Sequence, residues 1–189
     1  EKEIMAYVAG LIDGDGHIGI RKGKDKNLPL IQFHNSVKQS SVFLNNLFGG
    51  TIACDKPKKE NNRPIWKWML QGKEGCKNFL DKVSKFLIMK QDSANMMIEF
   101  LLNPMENKDY YQESKDLNLN RKIGSFSFDN IQRKTSDCPY FWAYLAGIMD
   151  TDGSFSIERS IRKPGENRQI NDLVKFRPKL LLTMVSERS

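Results

Sequence analysis

Along the first hundred residues the apolar positions switch between two periods, and each switch marks a change of element. Ile4, Tyr7, Val8, Leu11 and Ile12 recur at three- and four-residue spacing, which predicts a helix over residues 3–13 that is stopped by Gly14 and Gly16. From His17 to Lys22, Ile18 and Ile20 alternate with His17, Gly19 and Arg21, the period of a half-buried strand. A charged, glycine-containing stretch from Lys22 to Asn27 turns the chain, and Ile31 and Phe33 then alternate with Gln32 and His34 to complete a hairpin. Ser40 to Phe48 reads as a short helix closed by Gly49-Gly50. Thr51 to Lys56 and Ile65 to Gln71 form a second hairpin around a loop rich in lysine and asparagine. Helical spacing returns over Glu74 to Phe86 and over Ser93 to Leu102, with Pro104 as a stop.

The composition turns polar over residues 105–139, where a helix through Tyr110, Tyr111, Leu117 and Leu119 precedes a stretch bearing serine and asparagine from Gly124 to Asp137. At Tyr140 the opening pattern restarts: an aromatic helix start, an acidic segment, then Phe155 and Ile157 alternating with Ser154, Ser156 and Glu158, and a second strand over Phe176 to Val185. The expected organisation is a first unit over residues 1–104, a connector over 105–139 and a second unit over 140–189. Between Leu145 and Ser189 there is room for a helix and one hairpin only. The second sheet would lack two strands and its covering helices, so the expectation is a fragment or a degenerate reading frame.

Hydrophobic residues make up 39% of the chain and charged residues 28%, enough to bury an ordinary core. The net charge of +7 and a pI near 9.3 favour phosphate-rich partners through the long-range field. Cys54, Cys76 and Cys138 form no Cys-x-x-Cys pair and stand at no zinc-ligand spacing from His17 and His34, so neither a disulfide framework nor a zinc site is expected. No run approaches the roughly eighteen apolar residues of a membrane span, and Glu1 opens no signal segment. A soluble protein in a reducing compartment with no membrane partner is the expectation.

Two segments carry the chemistry: Val8-Ala9-Gly10-Leu11-Ile12-Asp13-Gly14-Asp15-Gly16 and Leu145-Ala146-Gly147-Ile148-Met149-Asp150-Thr151-Asp152-Gly153. Each is an apolar helical stretch running into an Asp-x-Asp-Gly turn. The small pairs Ala9-Gly10 and Ala146-Gly147 leave little bulk between two such helices and allow close packing. Asp15 and Asp152 would then meet at helix C-termini, where the dipole adds to their mutual repulsion and divalent cations relieve it. A lone Asp-x-Asp-Gly is more often a turn or helix stop, and the duplication behind matching helices is what argues for a site.

Both segments resemble the signature of the LAGLIDADG homing endonucleases, in the single-chain form with two copies. Phe86 to Asn95 is similar to the segment leading into that family's last unit helix. The resemblance implies an α+β fold of αββαββα units, an antiparallel DNA-binding sheet backed by helices, with the two motif helices packed at a pseudo-two-fold interface. It implies Asp15 and Asp152 as the metal-binding catalytic acids, the carbonyls of Gly14 and Thr151 as further ligands, magnesium as the cofactor, and Lys90 as the basic residue near the attacking water. Asp13 and Asp150 are assigned structural roles. The implied reaction is a staggered double-strand cut with 3′ overhangs in homing of a mobile intron.

Recognition is expected from the strand faces, because a twisted antiparallel ribbon fits the major groove. Opposite the apolar positions lie His17, Arg21, Gln32 and His34, with Lys67 between Trp66 and Trp68. Arg21 and Gln32 suit guanine and adenine edges, while Lys22, Lys24, Lys56, Lys58 and Lys59 suit phosphate. In the second unit Ser154, Ser156 and Glu158 take the corresponding face, and Arg159 and Arg162 reach towards backbone. Trp66, Trp68 and Trp142 are assigned to packing by their apolar spacing rather than to base stacking. The expected partner is double-stranded DNA with a long site, read by a pseudo-symmetric monomer when complete. An intron RNA maturase or a non-catalytic DNA-binding protein on the same scaffold are the competing readings. An organellar location, in a eukaryote, follows from the resemblance alone.

Overall fold

The structure, a computed structural model, describes residues 1–24, 26–57, 63–103, 109–122, 140–161 and 174–182, without the side chains of 120–122, 155–161 and 174–182. The first unit runs α1 (Lys2–Asp15), β1 (Gly16–Lys22), β2 (Asn27–Asn35), α2 (Lys38–Phe48), β3 (Thr51–Asp55), β4 (Ile65–Gln71), α3 (Lys73–Val83), a single 3₁₀ turn (Ser84–Phe86) and α4 (Gln91–Leu102). It is the order read from the two periods. The strands form one antiparallel sheet in the order β1-β2-β4-β3. Its buried face carries Ile18, Ile20, Ile31, Phe33, Trp68 and Leu70 against the helices.

Two features lock this core. Phe48, Trp68 and Phe79 pack as a trio of tilted rings with the Phe48 and Phe79 centroids 4.7 Å apart. The Trp68 indole donates to the Gly49 carbonyl at 2.8 Å, and Gly49 ends α2 at φ +70°, a conformation that L side chains rarely adopt. Burial pushes the Cys76 thiol up to about 12, so it stays a protonated core group, and Cys54 is an exposed free thiol. Cys138 lies outside the described residues.

The sequence stops α1 at Gly14, two residues early. Gly14 is helical, and the Gly16 N–H closes the last turn on the Ile12 carbonyl, so both acids of the first motif stand on the helix itself rather than in a turn. Apart from its first turn, α1 is buried on almost every side, from Met5 and Ala6 through Val8 to Asp13, because the unit's own core takes one face and a second helix the other.

The helix expected through Tyr110, Tyr111, Leu117 and Leu119 is α5 (Tyr110–Lys122), and it packs against the first unit. Tyr110 is fully buried edge-on to Phe100 at 5.3 Å, and the Ser114 hydroxyl accepts the Ile20 N–H at 3.1 Å. β1 is an outer strand of the sheet, and α5 covers its open edge. The stretch from Gly124 to Asp137 lies outside the described residues.

The second unit comprises α6 (Phe141–Asp152), β5 (Gly153–Ile161) and β6 (Val174–Leu182), the strands paired antiparallel as a separate two-stranded sheet. β6 begins before the expected Phe176, and residues 183–185 of the expected Phe176–Val185 lie outside the described residues. Its register repeats the first hairpin: Gly153 pairs with Leu182 as Gly16 does with Phe33, and Ile157 faces Pro178 as Ile20 faces Pro29. Trp142 is not a core residue: it is 77% exposed. α6 packs through Tyr144, Gly147 and Ile148, and Trp142 is on none of the positions buried by that contact. Trp66 is half-buried beneath the Lys38 ammonium, 4.6 Å from the ring centroid, and Trp68 is fully buried. Among the described residues no helix is long and apolar enough to cross a membrane.

Candidate metal centre and nucleic-acid interface

The site is built where α1 and α6 touch. A Cβ added to Gly10 would lie 2.1 Å from the Tyr144 carbonyl oxygen, and one added to Gly147 would lie 2.2 Å from that of Tyr7. Only glycine lets the backbones meet in this way. The contact is reciprocal in its polar groups too. Tyr7 donates to Asp150 Oδ2 at 2.6 Å, and Tyr144 donates to Asp13 Oδ2 at 2.9 Å. Burial, followed by the adjoining carboxylate, raises both phenols far above their ordinary value, so they act as donors throughout the working pH range.

Asp13 does more than meet a tyrosine. Its carboxylate accepts the backbone N–H groups of Ile88 at 2.7 Å, Met89 at 3.0 Å and Lys90 at 2.9 Å, and so ties the end of α1 to the start of α4. A carboxylate occupied in this way is a structural anchor. That same loop delivers Lys90, whose ammonium donates to the Asp13 carbonyl at 2.5 Å and the Gly14 carbonyl at 3.3 Å. Lys90 therefore stands on the carbonyl that the resemblance assigns to a cation. In the other motif, the Thr151 hydroxyl turns back to the Ile148 carbonyl at 2.9 Å, while its side chain fills the space a Cβ on Gly14 would need.

Asp15 and Asp152 end the two helices, both partly buried. Desolvation raises Asp15 above the usual carboxylate value, the Asp152 charge raises it further, and the Asn35 hydrogen bond and the Lys90 charge pull it back. Desolvation also raises Asp152, again against Lys90. Two acids that sense each other beside one lysine are what the close helix packing was expected to produce. Hard oxygen donors that carry a charge penalty suit a divalent cation. Among the described residues no three His, Cys, Asp or Glu side chains converge as a ligand set. The protein therefore offers two carboxylates and nearby carbonyls, and phosphate and water would complete any coordination.

Asn35 and Tyr144 were not singled out in the sequence, and Tyr7 was read as an apolar helix position. The tyrosines occupy the same place in both motifs and were open to detection by the repeat. Asn35 is a polar residue at a position where the strand alternation calls for an apolar one, and it is 8% exposed.

No protein-family profile matches the chain. Over 157 residues it is 29% identical to the intron-encoded DNA endonuclease aI3 of Saccharomyces cerevisiae, an alignment covering 80% of this chain and 35% of that protein. It is 23% identical over 167 residues to a probable intron-encoded endonuclease aI3 of Dictyostelium citrinum, covering 84% and 65%. Its fold is similar to the LAGLIDADG meganuclease I-AabMI bound to uncleaved DNA, with a TM-score of 0.60 at 11% identity over 94% of this chain and 66% of that one. It is also similar to I-SmaMI bound to an uncleaved DNA target in the presence of calcium ions, with a TM-score of 0.54 at 17% identity over 91% and 64%. The fold is that of the LAGLIDADG homing endonucleases. The chain spans about a third of the yeast relative's length and just under two thirds of the length of the other three.

On this LAGLIDADG scaffold the strand register brings most of the first unit's expected recognition residues to one face. His17 pairs with Gln32, and His34 pairs with Lys67, all on the side away from the helix-backed core. Arg21 shares that face and donates to Gln71 Oε1 at 2.9 Å across the intervening strand. Lys67 is ion-paired with Asp55. Burial and then the Lys67 charge lower the His34 imidazole, with Asp55 opposing, which keeps it neutral at pH 7. Lys22, Lys24 and Lys56 are exposed, as is Ser154 at the start of β5. Ser156, Glu158 and Arg159 lie in β5 opposite Lys179, Arg177 and Phe176. Lys58, Lys59 and Arg162 lie outside the described residues.

Proposed function

We propose that this chain is part of a site-specific DNA endonuclease that makes a metal-dependent, staggered double-strand cut with 3′ overhangs, in homing of a mobile intron. The observation that carries the reading is the pair Asp15 and Asp152, brought within electrostatic reach of each other at the ends of two helices that meet through Gly10 and Gly147. The names of the relatives support it, since two are intron-encoded endonucleases and two solved relatives hold uncleaved DNA. Magnesium, when bound, would supply Lewis-acid charge at phosphate and lower the pKa of the attacking water.

The protein's part is positional. Asp15 and Asp152, with the Gly14 and Thr151 carbonyls as additional oxygens, would hold the divalent cations. Lys90, on a loop anchored by Asp13, brings a positive charge to the place where the phosphate turns more negative. His17, Arg21, Lys22, Lys24, Gln32, His34 and Lys67 read or hold duplex DNA from the first unit, and Ser154, Ser156, Glu158 and Arg159 from the second. Division into a unit over 1–104, a connector over 105–139 and a second unit over 140–189, and an organellar location, belong to the same proposal.

The test is incubation of the full-length protein with intronless target DNA, with and without magnesium. Selective cutting that needs the metal, and is abolished in Asp15→Asn or Asp152→Asn with DNA binding largely kept, is the expected result. Intron-RNA binding without DNA cleavage would instead favour a maturase.

A further inference from the structure

We propose that Asn35 is a positioning residue that fixes the Asp15 carboxylate and makes the two halves of the acidic pair unequal towards a divalent cation. This rests on reading Asp15 and Asp152 as the metal-binding acids.

Asn35 is the last residue of β2 and is buried. Its amide uses both ends: Oδ1 accepts the Val37 N–H at 2.7 Å, and Nδ2 donates to Asp15 Oδ2 at 2.7 Å. Flipping the amide would set an acceptor against the carboxylate and a donor against the N–H, so one orientation satisfies the network. A charge-assisted bond from a side chain held at its other end fixes the Asp15 rotamer and favours its ionised form. With Oδ2 engaged, Oδ1 is the oxygen left to face a cation.

Asp152 is held differently. Among the described residues no side chain donates a hydrogen bond to it, and the only opposing influence is the Lys90 charge that it shares with Asp15. Among the described residues the same motif thus carries a side-chain amide donor on the Asp15 carboxylate and none on that of Asp152. The Asp15 half is the preorganised half, and it binds a cation first.

Titration of the ¹⁵N-labelled protein with Ca²⁺, followed by the amide resonances of Gly16 and Gly153, separates the two halves because each amide follows its own acid. In the unmodified protein the Gly16 amide responds at lower Ca²⁺ than the Gly153 amide. Asn35→Ser keeps an oxygen for the Val37 N–H but is too short to reach Asp15. It moves the Gly16 response to roughly tenfold higher Ca²⁺, the loss of one hydrogen bond to a charged group, and leaves Gly153 in place. Asn35→Thr carries the same expectation with a side chain better suited to a strand, should the serine variant fold poorly. An unmoved Gly16 response, or equal shifts at both amides, would overturn the positioning role. No response at either amide in the unmodified protein would overturn the metal-binding reading and this inference with it.

Discussion

Asp13 and Asp150 hold the same place in the two motifs, yet Asp13 accepts three consecutive backbone N–H groups and a tyrosine, whereas Asp150, among the described residues, accepts a tyrosine. The half that the motifs write symmetrically is the contact between helices: glycine on glycine, tyrosine to the opposite acid. The half they do not write depends on what each unit folds around its own helix. In the first unit the Ile88–Lys90 loop closes on Asp13, the sheet, α3 and the 3₁₀ turn pack on α1, and Lys90 reaches the helix end. In the second, Trp142, Ala146 and Asp150 of α6 are exposed. A repeated motif thus fixes an interface in both copies, whereas the support around each acid comes from what packs on its own helix.

The severest way to break this comparison is through the glycines. Gly147→Val forces a branched side chain into a backbone that a Cβ already meets at 2.2 Å, and should cost about 3 kcal/mol or more of the helix–helix contact. Since the first unit has its own core, it should survive. Limited proteolysis should remove the second half and leave a folded first half, with the buried Trp68 fluorescence retained. Loss of the Trp68 signal together with the second half would mean that the two units form one cooperative core and that the contrast drawn above is false.

The next test works on the acids themselves. Asp13→Ala leaves three N–H groups at the start of α4 and the Tyr144 hydroxyl without their acceptor, a loss of about 3 kcal/mol or more in urea unfolding. Asp150→Ala strands one partly exposed tyrosine hydroxyl, a cost of about 1 kcal/mol. Equal costs would show that Asp150 is supported as fully as its counterpart.

These differences also explain what was readable in the chain and what was not. Period and punctuation are local, so the first unit's helices and strands, and the face shared by His17, Gln32, His34 and Lys67, followed directly from alternation. The pairing of Asp15 with Asp152 was legible because two copies of one motif imply a symmetric contact. The seat of Asp13 on the Ile88–Lys90 loop and the bond from Asn35 to Asp15 join residues distant in sequence, and no spacing rule reports them. The helical Gly14 was hidden because a glycine reads as a stop, while here the contact with Thr151 needs a residue without a side chain inside the helix. Edge covering by Ser114 was equally silent, since α5 is a polar helix whose buried residues are few. Pro29 and Pro178 stand at matching register, a mark of the repeat's second strand that their unequal spacing from Gly16 and Gly153 hides in the sequence.

The smallest effect separates the two acids by stability rather than by activity. Desolvation raises Asp15, the Asp152 charge raises it further, and desolvation raises Asp152. A carboxyl whose folded value lies above its unfolded one contributes stability that is full below the unfolded value and is lost as pH rises through the folded value. Both acids therefore weaken the fold on the way to neutral pH, while asparagine, which does not titrate, does not. At pH 7 Asp15→Asn and Asp152→Asn should each gain about 0.5–1 kcal/mol, a modest figure because both sites are partly open to solvent. The amide oxygen of Asn at position 15 still accepts from Asn35, so that variant keeps its support. Because each substitution relieves the same repulsion, the double variant should gain less than the two single gains together. Added Ca²⁺ should reverse the order at neutral pH, raising the melting temperature of the unmodified protein above that of either variant. Single variants less stable than the parent at pH 7 without a divalent ion would mean that the two carboxylates are not in mutual repulsion.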